Sequence, residues 1–532
     1  MEEPRRKKHR RREVMRASVE LGAFAVFAIV VVVALGIVLN VGQGRSAAPP
    51  GTLVISQSSD FQSLDPALAT TREAWELEYA TCAKLLNYAP RGSQLVPEVA
   101  AAMPTVSTDR RTYTFRIADG WRFSNGDAVT PRAFTRAFER ARSRELISPA
   151  EPYLREVAWW RARGDRLTIR LKDRAPDFAQ RLALPYFCAV PPSTPARPAD
   201  VLASAGPFYV RRHLRNRSLE LARNPYYPGP RRPRVDRILY RFGAFPSQIG
   251  LQLERGEADY GVVPPSVFES LSAHVESGRH LFTIRQPIVG YLALNTQRAL
   301  FRGNPQLRRA VNFALDRPAL ARAFGVRGAK PTDQYLPPGF PGYRDAKLYP
   351  LDGPDLATAR RLAAGHLRSG KVVYLACPSS DCRDRAVIVA QSLRKIGLRV
   401  EIHAGYGQYA LAAVKGTGFD MADVVTRPDY GDPYGLVEKL LDGRVIRAIS
   451  NTNLSYYADP EFSRALDEAQ RLRGRARMRA YERLDIDVAR TSAPLAAYAN
   501  VNARVFLSAR VGCVVYQPVY GLDIAGLCLH RP

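Results

Sequence analysis

The sequence predicts an exported α/β body carried behind one N-terminal membrane helix. Three observations carry that expectation. From residue 305 onward, amphipathic helical segments alternate with short apolar runs, the succession that builds a sheet with crossover helices. Between residues 112 and 172 apolar side chains recur at period two, as in half-buried strands. Ahead of both, residues 21–39 (LGAFAVFAIVVVVALGIVL) form the one long uncharged apolar run in the chain.

That run sets the compartment. Its 19 residues make a helix of about 28 Å, close to the roughly 30 Å of a bilayer core. Arg5, Arg6, Lys7, Lys8, Arg10, Arg11, Arg12 and Arg16 precede it. A positive flank on the N-terminal side keeps residues 1–20 cytoplasmic and sends the remainder across. The alternative is a cleavable signal peptide, whose apolar region is about 7–15 residues long. The SAA at 46–48 is a poor cleavage site, so an uncleaved single-pass anchor at 21–41 is favoured, followed by a short stalk at 42–51. RRKKHRRR resembles a nuclear signal, but beside an apolar span it reads as a topology determinant.

With 532 residues, the chain has material for several domain-sized units or two large lobes. Hydrophobic content of 46% and charged content of 24% exclude global disorder, collagen and coiled coil. A single apolar span excludes a polytopic membrane protein. The charge is strongly basic, 78 Lys+Arg against 50 Asp+Glu, a balance that can attract nucleic acid, anionic membrane or acidic ligands. No dense basic run follows residue 16, so the excess Arg reads as scattered over solvated surface and no nucleic-acid partner is expected.

In the body, TYTFRIADGWRFSNGDAVT (112–130) alternates apolar residues on either side of AspGly and AsnGlyAsp, the pattern of a hairpin. Thr130 then caps a helix that opens on Pro131 and buries Phe134, Ala137, Phe138 and Ala141. RLTIRLK (166–172) is a further strand, and the Trp159–Arg163 stretch reads as a strand edge. DLATARRLAAGHL precedes strand KVVYLA, and RAVIVAQSLRKIG precedes strand LRVEIH. Two helices follow over about 460–490, and strand character returns near 495.

Chemistry-bearing motifs are missing. GHLRSGK (365–371) has the spacing of a phosphate loop, but Val372 stands where a hydroxyl is needed, and the glycines follow a helix instead of opening one. HExxH, GxSxG, GxGxxG and calcium-loop patterns do not occur. Asp485 and Asp487 lie two apart on a helix and face different ways. Neither an enzyme nor a cofactor is expected. The six cysteines, Cys82, Cys188, Cys377, Cys382, Cys513 and Cys528, lie beyond the anchor, where disulfides persist. Six cysteines allow 15 pairings and the residues alone leave the choice open.

An ordered set of segments over about 52–510 resembles the family 5 extracytoplasmic solute-binding proteins of ABC transporters, the oligopeptide- and dipeptide-binding group. The set comprises LDPAL (64–68), the block at 95–134, AGPFYV (205–210), LARNPYY (221–227), LERGEADYG (253–261), LALNTQ with LRRAVNFALDR (292–317), RPDYGDPYG (427–435) and NTNLSYYADPEF (451–462). The resemblance implies a two-lobed periplasmic-binding-protein-like fold with a hinge. Lobe I would span 52–288 with an inserted subdomain at about 92–200, lobe II 289–499, and residues 500–532 would return to lobe I. It also implies capture of a peptide or other small solute by hinge closure, and delivery to an ABC permease with its ATPase subunits. Relatives that take nickel chelates, oligosaccharides or opines keep a non-peptide ligand open, and a ligand-sensing receptor without transport is the other alternative.

By the same resemblance Asp429 would pair with a ligand's α-amino group, and Tyr430 and Asn295 would belong to segments lining the cleft. Arg427 departs from the family pattern: it places a cation beside Asp429, which either neutralises that carboxylate or leaves room for an acidic ligand. Cys377 and Cys382 flank a turn-like ProSerSerAsp, Cys513 and Cys528 flank a stretch that can fold back on itself, and a bridge between the lobes implied by the resemblance would lock the hinge. The expected disulfides are therefore Cys82–Cys188, Cys377–Cys382 and Cys513–Cys528, each inside one lobe.

Overall fold

Leu53 and Ile55 point into one core, and Thr52–Gln57 becomes a strand with a parallel neighbour on each side in a five-stranded sheet. The computed structural model describes residues 50–263, 265–274, 281–377, 379–405, 418–447 and 451–530. The expected tail (1–20), anchor (21–41) and nearly all of the stalk lie outside them. Among the described residues no helix is long and apolar enough to cross a membrane.

The strand order of this first sheet is Tyr260–Gly261, Thr52–Gln57, Arg237–Phe242, Ser218–Arg223, Phe208–Leu214. Asp259 pins its edge, accepting from Val54 N at 2.8 Å, Ser508 Oγ at 2.7 Å and Arg510 Nε at 2.7 Å. The Asp of LERGEADYG thus acts structurally, clamping the returning C-terminal chain to the first strand. Asp65 of LDPAL is likewise buried, held by both Arg140 guanidinium nitrogens at 2.9 and 2.5 Å.

A four-stranded antiparallel sheet forms between residues 105 and 171, in the order Thr105–Val106, Thr112–Arg116, Arg166–Leu171, Val157–Arg163. Here the structure corrects the expected 112–130 hairpin. Thr112–Arg116 pairs with Thr105–Val106 and with Arg166–Leu171, not across Asp119–Gly120. Phe115 and Ile169 need partners in the same core layer, and the distant strand supplies more of that layer than the short run at Trp121–Phe123. Pairing across the AsnGlyAsp turn stays local: a bridge from Arg122 to Ala128, with Phe123 N donating to Asp127 O at 2.8 Å and Val129 N to Trp121 O at 2.9 Å. The helix Pro131–Ala141 forms as read, with Phe134, Ala137, Phe138 and Ala141 buried. Thr130 occupies its N-cap position, but its side chain makes no capping bond. Val157–Arg163 is the edge strand, with Trp160 packed on Phe138 at 5.6 Å.

The six-stranded sheet has the order Ala329–Pro331, Leu495–Phe506, Leu281–Leu294, Met421–Thr426, Lys371–Ala376, Arg399–Ala404. Lys371–Ala376 and Arg399–Ala404 run parallel, joined by the crossover helix Ser380–Arg394, as the helix–strand succession predicts.

Two strands, Leu281–Leu294 and Leu495–Phe506, pair along most of their length and take part in both halves of the body. Phe282, Ile284, Val505 and Leu507 pack into the core of the first sheet. Val289–Leu294 and Leu495–Ala499 are buried in the cores of the second. Register shifts between Arg285 and Ile288 and between Gly290 and Tyr291 interrupt the ladder where core membership changes. A two-strand ribbon with bulges is the thinnest connection between two packed cores, and bulges bend strands locally. The result is a two-lobed α/β fold of the periplasmic-binding-protein type.

Candidate functional site between the lobes

Met421–Thr426 runs parallel to Lys371–Ala376, so the chain leaves the sheet at its carboxyl end as Arg427–Asp432. In open α/β sheets that end is where ligand crevices form. Asp432 then caps the helix Pro433–Leu441, accepting from Tyr434 N at 2.9 Å, with Pro433 at the first helical position. Arg477 holds the Asp432 carboxylate through Nη2 at 2.8 Å. Cap and ion pair fix the RPDYGDPYG segment as a rigid projection toward the other lobe.

Each residue of that projection meets lobe I differently. Tyr430 is buried, and its hydroxyl donates to Asp177 Oδ2 at 2.8 Å. Burial raises the Tyr430 phenol well above its usual range and Asp177 adds to this, so it remains a donor. Burial alone would also raise Asp177, but the Arg181 guanidinium outweighs it and holds that carboxyl below the usual range. Gly431 lies so close to Ser93 that an added Cβ would collide with the Ser93 side chain. Arg155 reaches Glu438 at 3.3 Å, and Arg181 stacks over Tyr434 at 5.5 Å.

Asp429 is not left open. Tyr153 donates to its Oδ2 at 2.9 Å, and Lys439 Nζ lies 3.2 Å from its Oδ1. The cation that neutralises Asp429 is therefore Lys439, from the last turn of the following helix, and not Arg427. Arg427 turns instead onto the Trp75 ring at 4.8 Å, and its Nη1 is buried with no hydrogen-bond partner among the described residues. Arg72, one turn from Trp75, donates to the Tyr516 hydroxyl and stacks 5.7 Å from that ring. Glu76 lies beneath, donated to by Leu522 N at 3.0 Å and Tyr260 Oη at 3.2 Å, its carboxyl pushed up to about 7 by burial. Tyr186 closes the side, perpendicular to Trp75 at 5.8 Å and stacked on Tyr153 at 5.8 Å.

The structure brings Arg427, Asp429 and Tyr430 together and leaves Asn295 elsewhere. Asn295 is buried beside the start of Met421–Thr426, its amide donating to Phe419 O at 3.3 Å and its Oδ1 accepting from Gln297 N at 3.1 Å. Six strand residues separate that end from Arg427, about 20 Å at roughly 3.3 Å per residue. The residues that sequence reading missed are Lys439, Tyr153, Asp177, Trp75 and Arg72. Lys439 was accessible in principle as the basic residue of the helix that Asp432 caps; the other four approach from far away in the chain and leave no local signal.

The three disulfides join Cys82 to Cys188, Cys377 to Cys382 and Cys513 to Cys528, with Cα separations of 5.5, 5.5 and 5.4 Å. Glu78 lies beside the first of them, but two thiols bonded to each other offer a metal ion no thiolate. The Asp485 carboxylate accepts from Gln334 and from the backbone of Tyr335 and Leu336, a structural role, while Asp487 is exposed.

Two lobes on a bulged ribbon, with a charged and aromatic site between them, define a lobed binding protein. Residues 94–446 match the family described as bacterial extracellular solute-binding proteins, family 5 Middle, and the chain belongs to that family, the solute-binding proteins of ABC importers. It is 24% identical over 415 residues to the probable D,D-dipeptide-binding periplasmic protein DdpA of Escherichia coli (strain K12), covering 75% of this chain and 79% of that one. Among solved structures, clavulanic acid biosynthesis oligopeptide binding protein 2 superposes with a TM-score of 0.78 at 25% identity, covering 90% of this chain and 95% of that one. The periplasmic binding protein DppA from Helicobacter pylori, in complex with the peptide STSA, superposes at 0.75 and 21% identity, covering 90% and 98%.

Proposed function

We propose that this protein is the membrane-tethered, extracytoplasmic receptor of an ABC importer, enclosing a peptide-class solute between its lobes and presenting the closed form to a permease. The observation that carries the reading is the way Arg427–Tyr434 of one lobe packs into the other, through Tyr430 to Asp177 and Arg181 to Tyr434. A solute touching both sides of such a contact stabilises the closed form by its differential affinity for it. In this reading lobe I is 52–288 with 500–532, lobe II is 289–499, and residues 21–41 hold the body at the membrane surface. No chemistry is assigned to the site.

In this reading the tether would serve transport physically. A flexible stalk of about ten residues would let the body roam only roughly 16–19 Å from the bilayer, which would raise its effective concentration at a permease. The full chain, purified in detergent, is expected to carry a small solute that native mass spectrometry detects and that unfolding releases. A chain that carries no solute, and whose X-ray scattering radius does not change with a peptide digest, would overturn the receptor reading. N-terminal sequencing of the mature protein that begins near Ala47 would overturn the anchor.

A further inference from the structure

We propose that the site between the lobes takes an anionic solute, one that offers a carboxylate to Arg427 and brings no ammonium group to Asp429. The proposal rests on the solute-receptor reading and names its substrate class.

The first argument is occupancy. A receptor for a free amine needs an unpaired carboxylate facing its ligand. Asp429 is the carboxylate of the projecting loop, and it is already matched by Lys439 at 3.2 Å and by the Tyr153 hydroxyl at 2.9 Å. A ligand ammonium at this carboxylate would lie beside a second cation, Lys439, and gain less from a charge already matched. The chain carries its own substitute for a ligand amine.

The second argument is the unpaired cation. Arg427 is half-buried with its guanidinium 4.8 Å from the Trp75 ring centre, and its buried Nη1 has no acceptor among the described residues. Buried donors are almost always satisfied, and a buried charge is usually paired. Burial and then the charge of Arg72 push the Arg427 guanidinium down, and the charges of Asp429, Tyr516 and Glu76 offset this only in part. The hydrogen bonds of the two carboxyls go elsewhere: Asp429 is paired with Lys439, and Glu76 is turned to Leu522 and Tyr260.

The third argument is placement. Arg427 follows a strand of lobe II, and Arg72 opens the lobe I helix Arg72–Thr81. A carboxylate between them would touch both lobes at once, and that is the condition for a ligand to favour closure. The rings of Trp75, Tyr186 and Tyr516 surround the pair and keep the local dielectric low, where charge-assisted hydrogen bonds to guanidinium are strong.

Three probes separate the groups: N-acetyl-trialanine has a carboxylate and no amine, its C-terminal amide has neither, and trialanine has both. With the full chain in detergent and calorimetry as the readout, N-acetyl-trialanine is expected to bind at least tenfold tighter than its amide. Arg427→Gln should remove that preference while thermal unfolding of the unliganded chain stays within a few degrees of the parent. Lys439→Gln should give the reverse phenotype, a gain of tenfold or more for trialanine, because it uncovers Asp429. This gain cannot arise from misfolding and so guards against an unstable Arg427 variant. Amine-dependent binding by the parent, tighter for trialanine than for N-acetyl-trialanine, would overturn the proposal while leaving the receptor reading intact. So would an Arg427→Gln chain that keeps the anion preference, or a parent that binds none of the three probes. The copurifying solute judges the receptor reading separately.

Discussion

The Tyr430 hydroxyl donates to the Asp177 carboxylate at 2.8 Å, and the two residues belong to different lobes. Asp177 is held on its own side by Arg181 at 2.8 Å, so the acceptor is fixed before Tyr430 arrives. A hydrogen bond to a buried, charged, prearranged acceptor is worth about 1.5–3 kcal/mol. Tyr430→Phe removes that bond alone and leaves Asp177 paired with Arg181. The ratio of open to closed chains should rise about ten- to a hundredfold, since about 1.4 kcal/mol is tenfold. A fluorophore pair across the lobes would report it, and an unchanged distance distribution would show that the bond is not a closure contact.

Lys84 and Glu98 predict that stability rises with pH on the alkaline side of neutrality. Lys84 is wholly buried, 3.7 Å from Glu98, with its Nζ lacking a hydrogen bond and lying 4.7 Å from the Tyr520 ring. Burial pushes this ammonium down to about 8, against Glu98, which pulls it up. The unfolded chain therefore binds more protons between about 8 and 10.5, and stability should rise with pH across that window. Below about pH 8 the full penalty of the buried cation is present. Lys84→Met leaves Glu98 paired with Arg231 at 2.5 Å. It should match or exceed the parent at pH 7 and lose its share of the alkaline rise. Glu98→Gln instead strands two buried cations and should cost about 3–5 kcal/mol. Urea denaturation at pH 7 and 9.5 measures both.

The disulfides should differ in worth with the loop each closes. Cys82–Cys188 spans 106 residues, Cys513–Cys528 spans 15 and Cys377–Cys382 spans 5. In the chain-entropy model these correspond to about 5, 3 and 2 kcal/mol. Paired Cys→Ser variants should lower the denaturation midpoint in that order. An equal loss for the shortest and longest loops would mean that the unfolded chain is not what they constrain.

Gly206→Ala tests a close backbone approach. Gly206 N donates to Thr81 O at 2.9 Å, and a Cβ built on Gly206 would lie 2.5 Å from Cys82 N. The obstacle is backbone at the end of a helix, beside the Cys82–Cys188 bridge, and cannot rotate away. Such overpacking typically costs about 1–3 kcal/mol. A Gly206→Ala chain with the parent's denaturation midpoint would show that this approach is not tight in solution.

Much of the molecule was legible because its signals are local. The alternation from Lys371 to Ala404 gives two strands and their crossover helix, since side-chain periodicity reports directly on which face is buried. Apolar spacing fixed the Pro131–Ala141 helix and its buried stripe in the same way. The ordered motifs identified the family, and the short spacings of Cys377 to Cys382 and Cys513 to Cys528, together with the need for a mobile hinge, chose the three disulfides. What local pattern could not decide was partnership. Thr112–Arg116 pairs with a strand some fifty residues away and not across the nearer turn, because the buried layer around Phe115 is completed by Leu167 and Ile169. Arg427 stands two residues from Asp429 in the chain, yet the two guanidinium and carboxylate groups part: one turns to Trp75 of the other lobe, and the other is met by Lys439 as the following helix folds back. Sequence determined the lobes' building blocks and the loop that joins them at the site. Only the tertiary structure decided which charges in that loop are matched, because a counterion is chosen by proximity in space, and that proximity is created by packing elements distant in the chain.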